Sequence, residues 1–370
     1  MCPHRASLAR RRLFGSSLLA AFLAAGSAFA VGPAATPAPL RVVDARGRTV
    51  SFDALPKRIA VAGRAVSLIA NTLYLFPEAP GRVVAIPDST QQVSASFLSL
   101  LDPALAAKAL PGGAGAGPEQ IAPYHPDAVV LKSQVAEKLG EPLERLGLRV
   151  VCVDGESPEK FLADVAILGR LLGNEKRASE IAAFYEGKMR RVREKLRDLP
   201  PAGRPRVLFL TVSTRGGGRA FNVPPAAWLQ TRLVAEAGGE PVVDPAFPGA
   251  QTVTAEQVAA WKPDRIVVAH YRGDSREVVA ALRADPVWAA MPAVKAGRLD
   301  AFPGDFYSWD QPDPRWILGE LWLAKTLHPS RFPDLDPTAE LFAFFRTLYG
   351  LPEETVKAKI LPVLTGDVAR

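Results

Sequence analysis

The chain has 370 residues, 48% of them hydrophobic and 22% charged, so it can bury a large core and is not a disordered protein. Its formal net charge of +7 would suit a polyanion partner, but four arginines lie in the first thirty residues, which contain no acid. The remaining 41 basic and 38 acidic residues give a net charge of +3, which offers no support for nucleic-acid binding.

The first thirty residues have the three parts of a secretory signal peptide. A basic segment, RASLARRR, precedes the short apolar segment LFGSSLLAAFLAAG, and AFA at 28–30 fits a cleavage site. RRLF at 11–14 also fits a twin-arginine signal, so both the Sec and the twin-arginine routes stay open. No Cys stands directly after the apolar segment, which argues against a lipid anchor. We expect a signal peptide over 1–30, a flexible tether over 31–39 and a soluble mature protein in the periplasm.

Short runs rich in Val and Ile alternate with helix-length segments along the rest of the chain. Such runs are typical of buried parallel strands. They occur at 58–62, 82–86, 127–131, 149–153, 206–212, 264–269 and 298–302. The pattern predicts an α/β fold with two Rossmann-like lobes, residues 40–160 and 199–350, each built on a parallel-rich sheet.

A long helical segment separates the two predicted lobes. Ser157 and Pro158 are suited to a helix start, Gly173-Asn174 interrupts the pattern, and Pro200-Pro201 ends it. From Glu175 to about residue 198 the apolar positions recur at helical spacing, enough for a helix roughly 35 Å long. We assign 161–198 to an interdomain helix that joins the lobes. The sequence leaves open whether the tail, 351–370, packs against the protein.

One phrase occurs twice, once in each predicted lobe. It reads PEQIAPYHPDAVVL at 118–131 and AEQVAAWKPDRIVV at 255–268, and each Glu stands eight residues before an Asp. Both copies predict a short helix that leads into a strand. Pro-Asp before a strand is common turn chemistry, so two similar lobes alone would explain the aspartates. That explanation does not account for Glu119-Gln120 and Glu256-Gln257 at matching places.

Candidate ligand-binding residues follow the predicted strands, because ligands of open α/β sheets gather at the carboxyl ends of strands. Arginine suits an anionic group, and aromatic rings offer flat apolar contact. The candidates are Arg64, Lys132, Ser133, Arg215, His270, Tyr271, Arg272, Tyr307 and Trp309. A solvated loop for the arginines and core packing for Trp309 are the alternatives.

Other chemistries find little support in the sequence. RGGGR at 215–219 has neither a P-loop nor a dinucleotide fingerprint, and no G-x-S-x-G or H-E-x-x-H motif occurs. His125, His270 and His328 do not suggest converging ligands of a bare metal site. Cys152 has no partner in the mature chain and is expected to be a buried thiol. We therefore expect no enzymatic activity and no covalently bound cofactor.

The chain resembles the substrate-binding proteins of ABC importers for iron complexes, haem and cobalamin. The resemblance covers nearly all of 40–351. It rests on RVVDARGRTVSFDALPKRIAVAG, both copies of the repeated phrase, the long helix, DPVWAAMPAVKAGRLDAFPG and YSWDQPDPRWILGELWLAKTLHPSRF. It implies two α/β lobes joined by one long helix, with the ligand in the cleft. It also implies that Glu119 and Glu256 dock with arginines of the permease dimer, which works with ATPase subunits.

The resemblance implies a monomer that captures a siderophore, haem or related metal chelate and delivers it to the permease. SWDQPDPRWILGELWLAK also resembles molybdate- and tungstate-binding members of the superfamily, for which hydroxyls of Ser89, Thr90, Ser133 and Ser213 would serve. The aromatic cluster favours the organic chelate. An extracytoplasmic sensor or a metal-handling enzyme on the same fold is the alternative from a different class.

Overall fold

Two β-sheets, each flanked by helices, make up the described part of the molecule. The structure is a computed structural model, and it describes residues 39–87, 92–215, 218–243 and 249–368, without the side chains of 92–96 and 214–215. The predicted signal peptide and nearly all of the tether lie outside these residues. The strands are β1 (Leu40–Val43), β2 (Thr49–Phe52), β3 (Ile59–Val61), β4 (Val83–Pro87), β5 (Ala109–Leu110), β6 (Ala128–Lys132), β7 (Val150–Val153), β8 (Arg206–Arg215), β9 (Gly218–Val223), β10 (Glu240–Pro241), β11 (Gln251–Val253), β12 (Arg265–His270) and β13 (Leu299–Ala301).

Helices follow most of the strands. They are α1 (Val66–Leu73), α2 (Ala79–Arg82), α3 (Gln92–Leu101), α4 (Pro118–Ile121), α5 (Glu141–Arg145), α6 (Pro158–Leu172), α7 (Glu175–Leu196), α8 (Leu229–Glu236), α9 (Ala255–Trp261), α10 (Ser275–Ala284), α11 (Pro286–Ala289), α12 (Pro292–Lys295), α13 (Trp316–Leu327), α14 (Pro337–Tyr349) and α15 (Glu353–Thr355). Among the described residues, no helix is long and apolar enough to cross a bilayer.

The first sheet has the strand order β5-β4-β3-β6-β7, and all of its strands are parallel. Every residue of β3, β6 and β7 is buried, because helices cover both faces of a parallel sheet. The hairpin of β1 and β2 stands apart from this sheet as an antiparallel pair. The Val/Ile runs of the first predicted lobe therefore form the strands that the sequence predicts.

The second sheet has the order β11-β9-β8-β12-β13, and β10 also pairs with β8. The strands β10, β8, β12 and β13 are parallel, whereas β9 and β11 run antiparallel to their neighbours. The predicted α/β class with parallel-rich sheets is confirmed. The hairpin of β8 and β9 is an addition that the alternating pattern does not predict.

The segment assigned to the interdomain helix, 161–198, contains two helices, and they meet at the Gly173-Asn174 interruption that the sequence indicates. Ser157 Oγ caps α6 by accepting a hydrogen bond from the backbone N–H of Lys160. Gly173 then adopts a left-handed conformation (φ 66°) and ends α6, and the Asn174 side chain caps α7. The 22 residues of α7 give a length of about 33 Å at 1.5 Å per residue. The long helix is thus α7 alone, and α6 packs beside it.

One hydrophobic core runs from the first sheet through α6 and α7 to the helices α13 and α14. Polar contacts follow the same path, because Arg177 on α7 donates to the carbonyl groups of Thr347 and Leu348. The Tyr349 hydroxyl likewise donates to the carbonyl of Asn71 on α1 at 3.0 Å. Since such close-packed interfaces do not deform continuously, we expect only modest closure of the cleft.

The C-terminal tail, which the sequence left open, packs against the second sheet. The backbone N–H of Thr365 donates to the carbonyl of Gly304 at 2.9 Å. Asp367 accepts a hydrogen bond from the backbone N–H of Ala301 at 3.0 Å, next to the end of β13. These contacts bring Val363 and Thr365 to the pocket described below.

Glu320 on α13 is a buried acid that makes stability depend on pH. Its side chain is 2% exposed, and burial, with a smaller contribution from Glu236, raises its pKa to about 8. Because the folded-state pKa lies above the unfolded value of 4.5, the folded state binds the proton more tightly between these values. The associated stability is therefore present at low pH and is lost as the pH rises through about 8.

Replacing Glu320 by Gln is expected to remove this pH dependence, because Gln fills the same space without a charge. The variant's free energy of unfolding is compared with that of the native protein at each pH. This difference is expected to be on the order of 2–4 kcal/mol more favourable to the variant at pH 9 than at pH 5. Urea unfolding at both pH values measures the difference. Glu354→Gln, at an exposed position, is the matched control and is expected to show no such gain. Equal effects of Glu320→Gln at the two pH values would contradict the assignment.

Candidate functional site

The repeated Glu-Gln phrase forms the same helix start in both lobes. The backbone N–H of Gly117 donates to Gln120 Oε1 at 2.7 Å, and that of Thr254 donates to Gln257 Oε1 at 2.9 Å. In α9 this is one half of a capping box, because the Thr254 hydroxyl also accepts from the backbone N–H of Gln257 at 3.3 Å; Gly117 has no side chain, so α4 has only the Gln half. The repeated Gln therefore has a local structural cause.

The Pro-Asp part of the phrase also has the same role in both lobes. Asp127 accepts a hydrogen bond from the backbone N–H of Arg58, and Asp264 accepts one from that of Arg206, at 2.9 and 2.8 Å. Both arginines stand where the first strand of their sheet begins. Their guanidinium groups donate to carbonyls at the end of the phrase's helical segment, at Tyr124 and His125 for Arg58 and at Trp261 and Lys262 for Arg206. The duplication thus extends to a matched set of contacts.

These contacts place Glu119 on α4 and Glu256 on α9 at equivalent, exposed positions. Neither glutamate has an ion-pair partner among the described residues. The Thr254 side chain lowers the pKa of Glu256 by hydrogen bonding, so this carboxylate is negatively charged at neutral pH. Capping and turn chemistry account for Gln and Asp. Each Glu lies in the first turn of its helix, where a negative charge is favourable, and the Thr254 side chain also contacts Glu256.

The carboxyl ends of the strands in the first sheet offer a ligand fewer positively charged side chains than the sequence predicts. Arg64, after β3, is exposed. Lys132 at the end of β6 is 4% exposed and forms an ion pair with Glu156 at 2.5 Å. Its ammonium group also donates to the carbonyl of Asp154. In this structure the charge of Lys132 is paired with Glu156, and the role of Lys132 as a ligand contact stays a prediction.

Acidic residues dominate the surroundings of Lys132. Asp164 on α6 accepts the backbone N–H of Asp154 with both carboxylate oxygens, at 3.0 and 2.9 Å, and burial raises its pKa to about 7. Ser133 is also turned inward, since its hydroxyl donates to the carbonyl of Val153 at 3.3 Å. This cluster fixes the loop between β7 and α6 and leaves Arg64 as the candidate contact on this side.

The second lobe contains a pocket of about 360 Å³ beyond the carboxyl ends of β12 and β13. Its volume lies in the range of small-molecule sites, about 300–1,000 Å³. It is lined by His270, Tyr271, Arg272, Gly273, Asp274, Ser275, Phe302, Asp305, Phe306, Tyr307, Ser308, Gln311, Val363 and Thr365. The structure thus brings together four predicted residues, His270, Tyr271, Arg272 and Tyr307. Arg64, Lys132 and Ser133 do not line this pocket.

His270 is a neutral imidazole in this pocket. Burial lowers its pKa, and the nearby positive charge of Arg219 lowers it further. The ring packs against Gly273, where a Cβ atom would come within 2.9 Å of Nδ1. The backbone N–H of His270 donates to the Ser275 hydroxyl at 3.0 Å, which ties the end of β12 to the start of α10. Positive charge at the pocket therefore comes from Arg272, which is exposed, rather than from His270.

Tyr271 is exposed at its ring and held at its hydroxyl. The residue is 36% exposed, whereas its hydroxyl donates to Asp310 Oδ2 at 2.6 Å and accepts from Gln230 Nε2 at 3.3 Å. Burial of the hydroxyl raises the pKa of Tyr271 well above its usual value. Trp228, two residues before Gln230, is 45% exposed. The sequence does not point to Gln230, because this residue does not follow a strand that runs toward the cleft.

Trp309 is a core residue in this structure, and its role as a ligand contact stays a prediction. It is 1% exposed, and its indole N–H donates to Asp305 Oδ2 at 3.2 Å. Gly319 on α13 packs directly against the Trp309 backbone and leaves no room for a Cβ atom. Tyr307 is 4% exposed and reaches only the inner wall of the pocket. The loop after β13 folds under α13, which buries the rings that the sequence places in the cleft.

Several candidates stay predictions. The side chain of Arg215, and Ser89 and Thr90, lie outside the described residues. Ser213 accepts a hydrogen bond from Asn222 Nδ2 at 3.0 Å within the β8–β9 hairpin. In the described part of the chain, no three His, Cys, Asp or Glu residues form a group that could hold a metal ion.

Comparison with known proteins identifies relatives of this fold. The sequence model of the periplasmic binding protein family matches residues 69–305. The molybdate-binding protein MolA of Haemophilus influenzae is 24% identical over 328 residues, which are 80% of this chain and 90% of MolA. The MolA structure with bound molybdate has a TM-score of 0.65 at 19% identity and covers 84% of this chain and 98% of its own.

Two further structures share the fold. A periplasmic solute-binding protein from Veillonella parvula has a TM-score of 0.70 at 20% identity and covers 87% of this chain and 97% of its own. CeuE of Helicobacter pylori, in a complex with nickel and histidine, has a TM-score of 0.65 at 16% identity, with 87% and 99% covered. Identities this low establish the fold and leave the ligand to be argued from the site.

Proposed function

Because this chain belongs to the periplasmic binding protein family, whose members bind solutes for ABC importers, we propose that it captures an anionic metal chelate, such as a ferric siderophore or haem. One observation carries the choice of ligand. The pocket of about 360 Å³ combines an exposed aromatic ring, Tyr271, with an exposed cation, Arg272. A planar guanidinium suits a carboxylate or phenolate, and a ring suits the organic part of a chelate.

The metal would arrive as cargo inside its complex and not as a bare ion. A structural or catalytic metal requires several converging side chains, whereas a chelate brings its own ligands. In that case His270, which is neutral, and Asp305, which is buried, only line the pocket. Arg272, and Arg64 across the cleft, would bind the negative charge of the chelate.

Delivery would use Glu119 and Glu256, one on each lobe. Both are exposed, and both are held at matching positions by the same Gln and Asp contacts. Carboxylates in matched positions on two lobes suit arginines in matched positions on a permease dimer, with ATPase subunits behind it. The chain would act in the periplasm as a monomer.

Molybdate or tungstate is the second candidate ligand. MolA, the relative with 24% identity, is described as binding molybdate. A tetrahedral oxyanion would be held by hydroxyls, backbone N–H groups and one or two cations, and would need no aromatic wall. In the described residues the Ser133 hydroxyl already donates within its own lobe, which favours the chelate, whereas Ser213 only accepts there and keeps its proton to donate.

Thermal unfolding of the mature protein against a ligand panel tests the proposal. The panel contains ferric siderophores, haem, corrinoids, molybdate, tungstate and free divalent metals. A ligand at a hundred times its Kd adds about 2.7 kcal/mol of stability, a shift of several degrees. We expect the shift with an organic metal complex. A shift with oxyanions alone would favour the second candidate, and no shift with any member would contradict both.

A further inference from the structure

Lys132 is a buried cation whose partner is a partly exposed acid. Its side chain, at the carboxyl end of β6, is 5% exposed, whereas that of Glu156 is 31% exposed. The Lys132 ammonium group lies 2.5 Å from Glu156 Oε1 and also donates to the carbonyl of Asp154. A buried charge strongly opposes folding unless an opposite charge lies beside it, so Lys132 requires an anion. Glu156, in contrast, can turn into solvent with little loss of free energy.

The other acids around Lys132 are engaged elsewhere or only partly charged. Asp154 forms an ion pair with Lys160 at 2.7 Å. Both carboxylate oxygens of Asp164 accept the backbone N–H of Asp154, and burial raises the pKa of Asp164 to about 7, so this group carries only part of a charge at neutral pH. If Glu156 turns away, Lys132 therefore requires an anion from outside this cluster.

The ion pair of Lys132 and Glu156 lies where the first lobe meets a segment that leads to the pocket. Glu156 follows the carboxyl end of β7, at the edge of the sheet where ligands of α/β proteins bind. A Cβ atom at Gly155 would lie 3.9 Å from Lys132 Nζ and 3.7 Å from the carbonyl oxygen of Pro312. Pro312 follows Gln311, which lines the pocket. The surroundings of Lys132 therefore adjoin the pocket through the second lobe's 311–312 segment.

We propose that Glu156 is a gate residue, which pairs with Lys132 until an acidic oxygen of the ligand takes its place. This inference rests on the proposed function and adds to it the residue that controls an anion position on the first lobe. The exchange replaces one carboxylate by another anionic oxygen at the same ammonium group, so Lys132 is paired before and after it. A ligand without an acidic oxygen does not displace Glu156 and gains nothing from Lys132.

Binding of two iron complexes to the full mature protein tests this exchange. The iron(III) complex of 2,3-dihydroxybenzoate is anionic, and the tris(acetohydroxamate) complex of iron(III) is neutral. Glu156→Gln is expected to bind the anionic complex about three- to tenfold more tightly than the native protein does, because an amide holds an ammonium group less strongly than a carboxylate. Its affinity for the neutral complex is expected to change by less than about twofold. Glu141→Gln, at an exposed position of α5, removes the same charge and is expected to change neither affinity.

A second substitution separates exchange at Lys132 from simple repulsion by Glu156. In a Lys132→Met background, Glu156→Gln removes only the repulsion between its carboxylate and the anionic complex, so the gain in affinity is expected to fall below about twofold. Thermal unfolding of each variant checks that it folds. Glu156→Ala tests the same point with Lys132 in place, because it leaves the ammonium group without its carboxylate. The anionic complex, and not the neutral one, is expected to raise the unfolding temperature of Glu156→Ala more than that of the native protein.

The outcomes distinguish the gate from the proposed function. Equal affinities of the native protein and Glu156→Gln for the anionic complex would overturn the gate and leave the proposed function standing. An equal gain from Glu156→Gln with Lys132 and with Met at this position would show repulsion alone and would also overturn the gate. If the native protein binds neither these two complexes nor any other metal chelate of the panel, the proposed function fails, and the gate fails with it.

Discussion

Replacing Arg315 by Ala is expected to lower the free energy of unfolding by about 3–5 kcal/mol, because it leaves buried acids without their cation. Arg315 is 0% exposed and forms ion pairs with Asp305 at 2.6 Å and with Asp313 at 3.0 Å. Its guanidinium carbon also lies 4.2 Å from the centre of the Phe97 ring. The substitution therefore removes two ion pairs and a cation–π contact at once.

The location of Arg315 makes the loss global. Asn71 on α1 donates a hydrogen bond to Asp313, and Phe97 lies on α3, so the first lobe contacts the second lobe's loop through this group. Asp305 also accepts the indole N–H of Trp309 and lines the pocket. We expect cooperative loss of the shared core and not a local defect.

Urea unfolding, followed by circular dichroism, measures the change in free energy of unfolding. Arg346→Ala on α14 is the matched control, since Arg346 is exposed and its loss is expected to change stability by no more than about 0.5 kcal/mol. A loss below about 1 kcal/mol for Arg315→Ala would show that the buried cluster does not stabilise the junction of the lobes.

Replacing Glu119 and Glu256, the two proposed docking residues, is expected to impair transport and to leave ligand capture unchanged. Glu119→Ala with Glu256→Ala is expected to lower the uptake rate by about tenfold or more and to change the Kd for ligand by less than about twofold. The reason is that both side chains are exposed and neither lines the pocket. Tenfold corresponds to about 1.4 kcal/mol, which a pair of interface charges can supply together.

Cells that lack the native copy and express the variant provide the uptake rate, and calorimetry on purified protein provides the Kd. Glu137→Ala with Glu354→Ala makes the same change of charge at two other exposed positions and is the control. We expect each single substitution to have a smaller effect than the double. Normal uptake by the double variant would rule out these glutamates as docking residues.

The fold was largely predictable because its signals are local. Strands such as β6 and β7 are short Val-rich runs buried on both faces, and Gly173 and Asn174 mark the break between α6 and α7. The Gln contacts at the starts of α4 and α9 likewise join residues three apart. Each of these patterns involves only residues that are close together in the sequence, so the sequence alone reveals it.

The site was less predictable because its residues meet across long sequence distances. Lys132 follows a strand as a ligand contact would, but Glu156 neutralises it. Trp309 is near the cleft in sequence, yet α13 folds over it, and its core partners come from distant segments. Gln230 stands far from Tyr271 in the sequence, and only the fold brings its amide to the Tyr271 hydroxyl.

The most direct test of the central claim is a pair of calorimetric titrations on one preparation of the mature protein, with iron(III) 2,3-dihydroxybenzoate and with molybdate. A pocket that combines the Tyr271 ring with the Arg272 side chain predicts that the ferric complex binds at least about 100-fold more tightly, a difference of about 2.7 kcal/mol. Molybdate binding as tight as or tighter than the ferric complex would contradict the account and make this chain an oxyanion carrier.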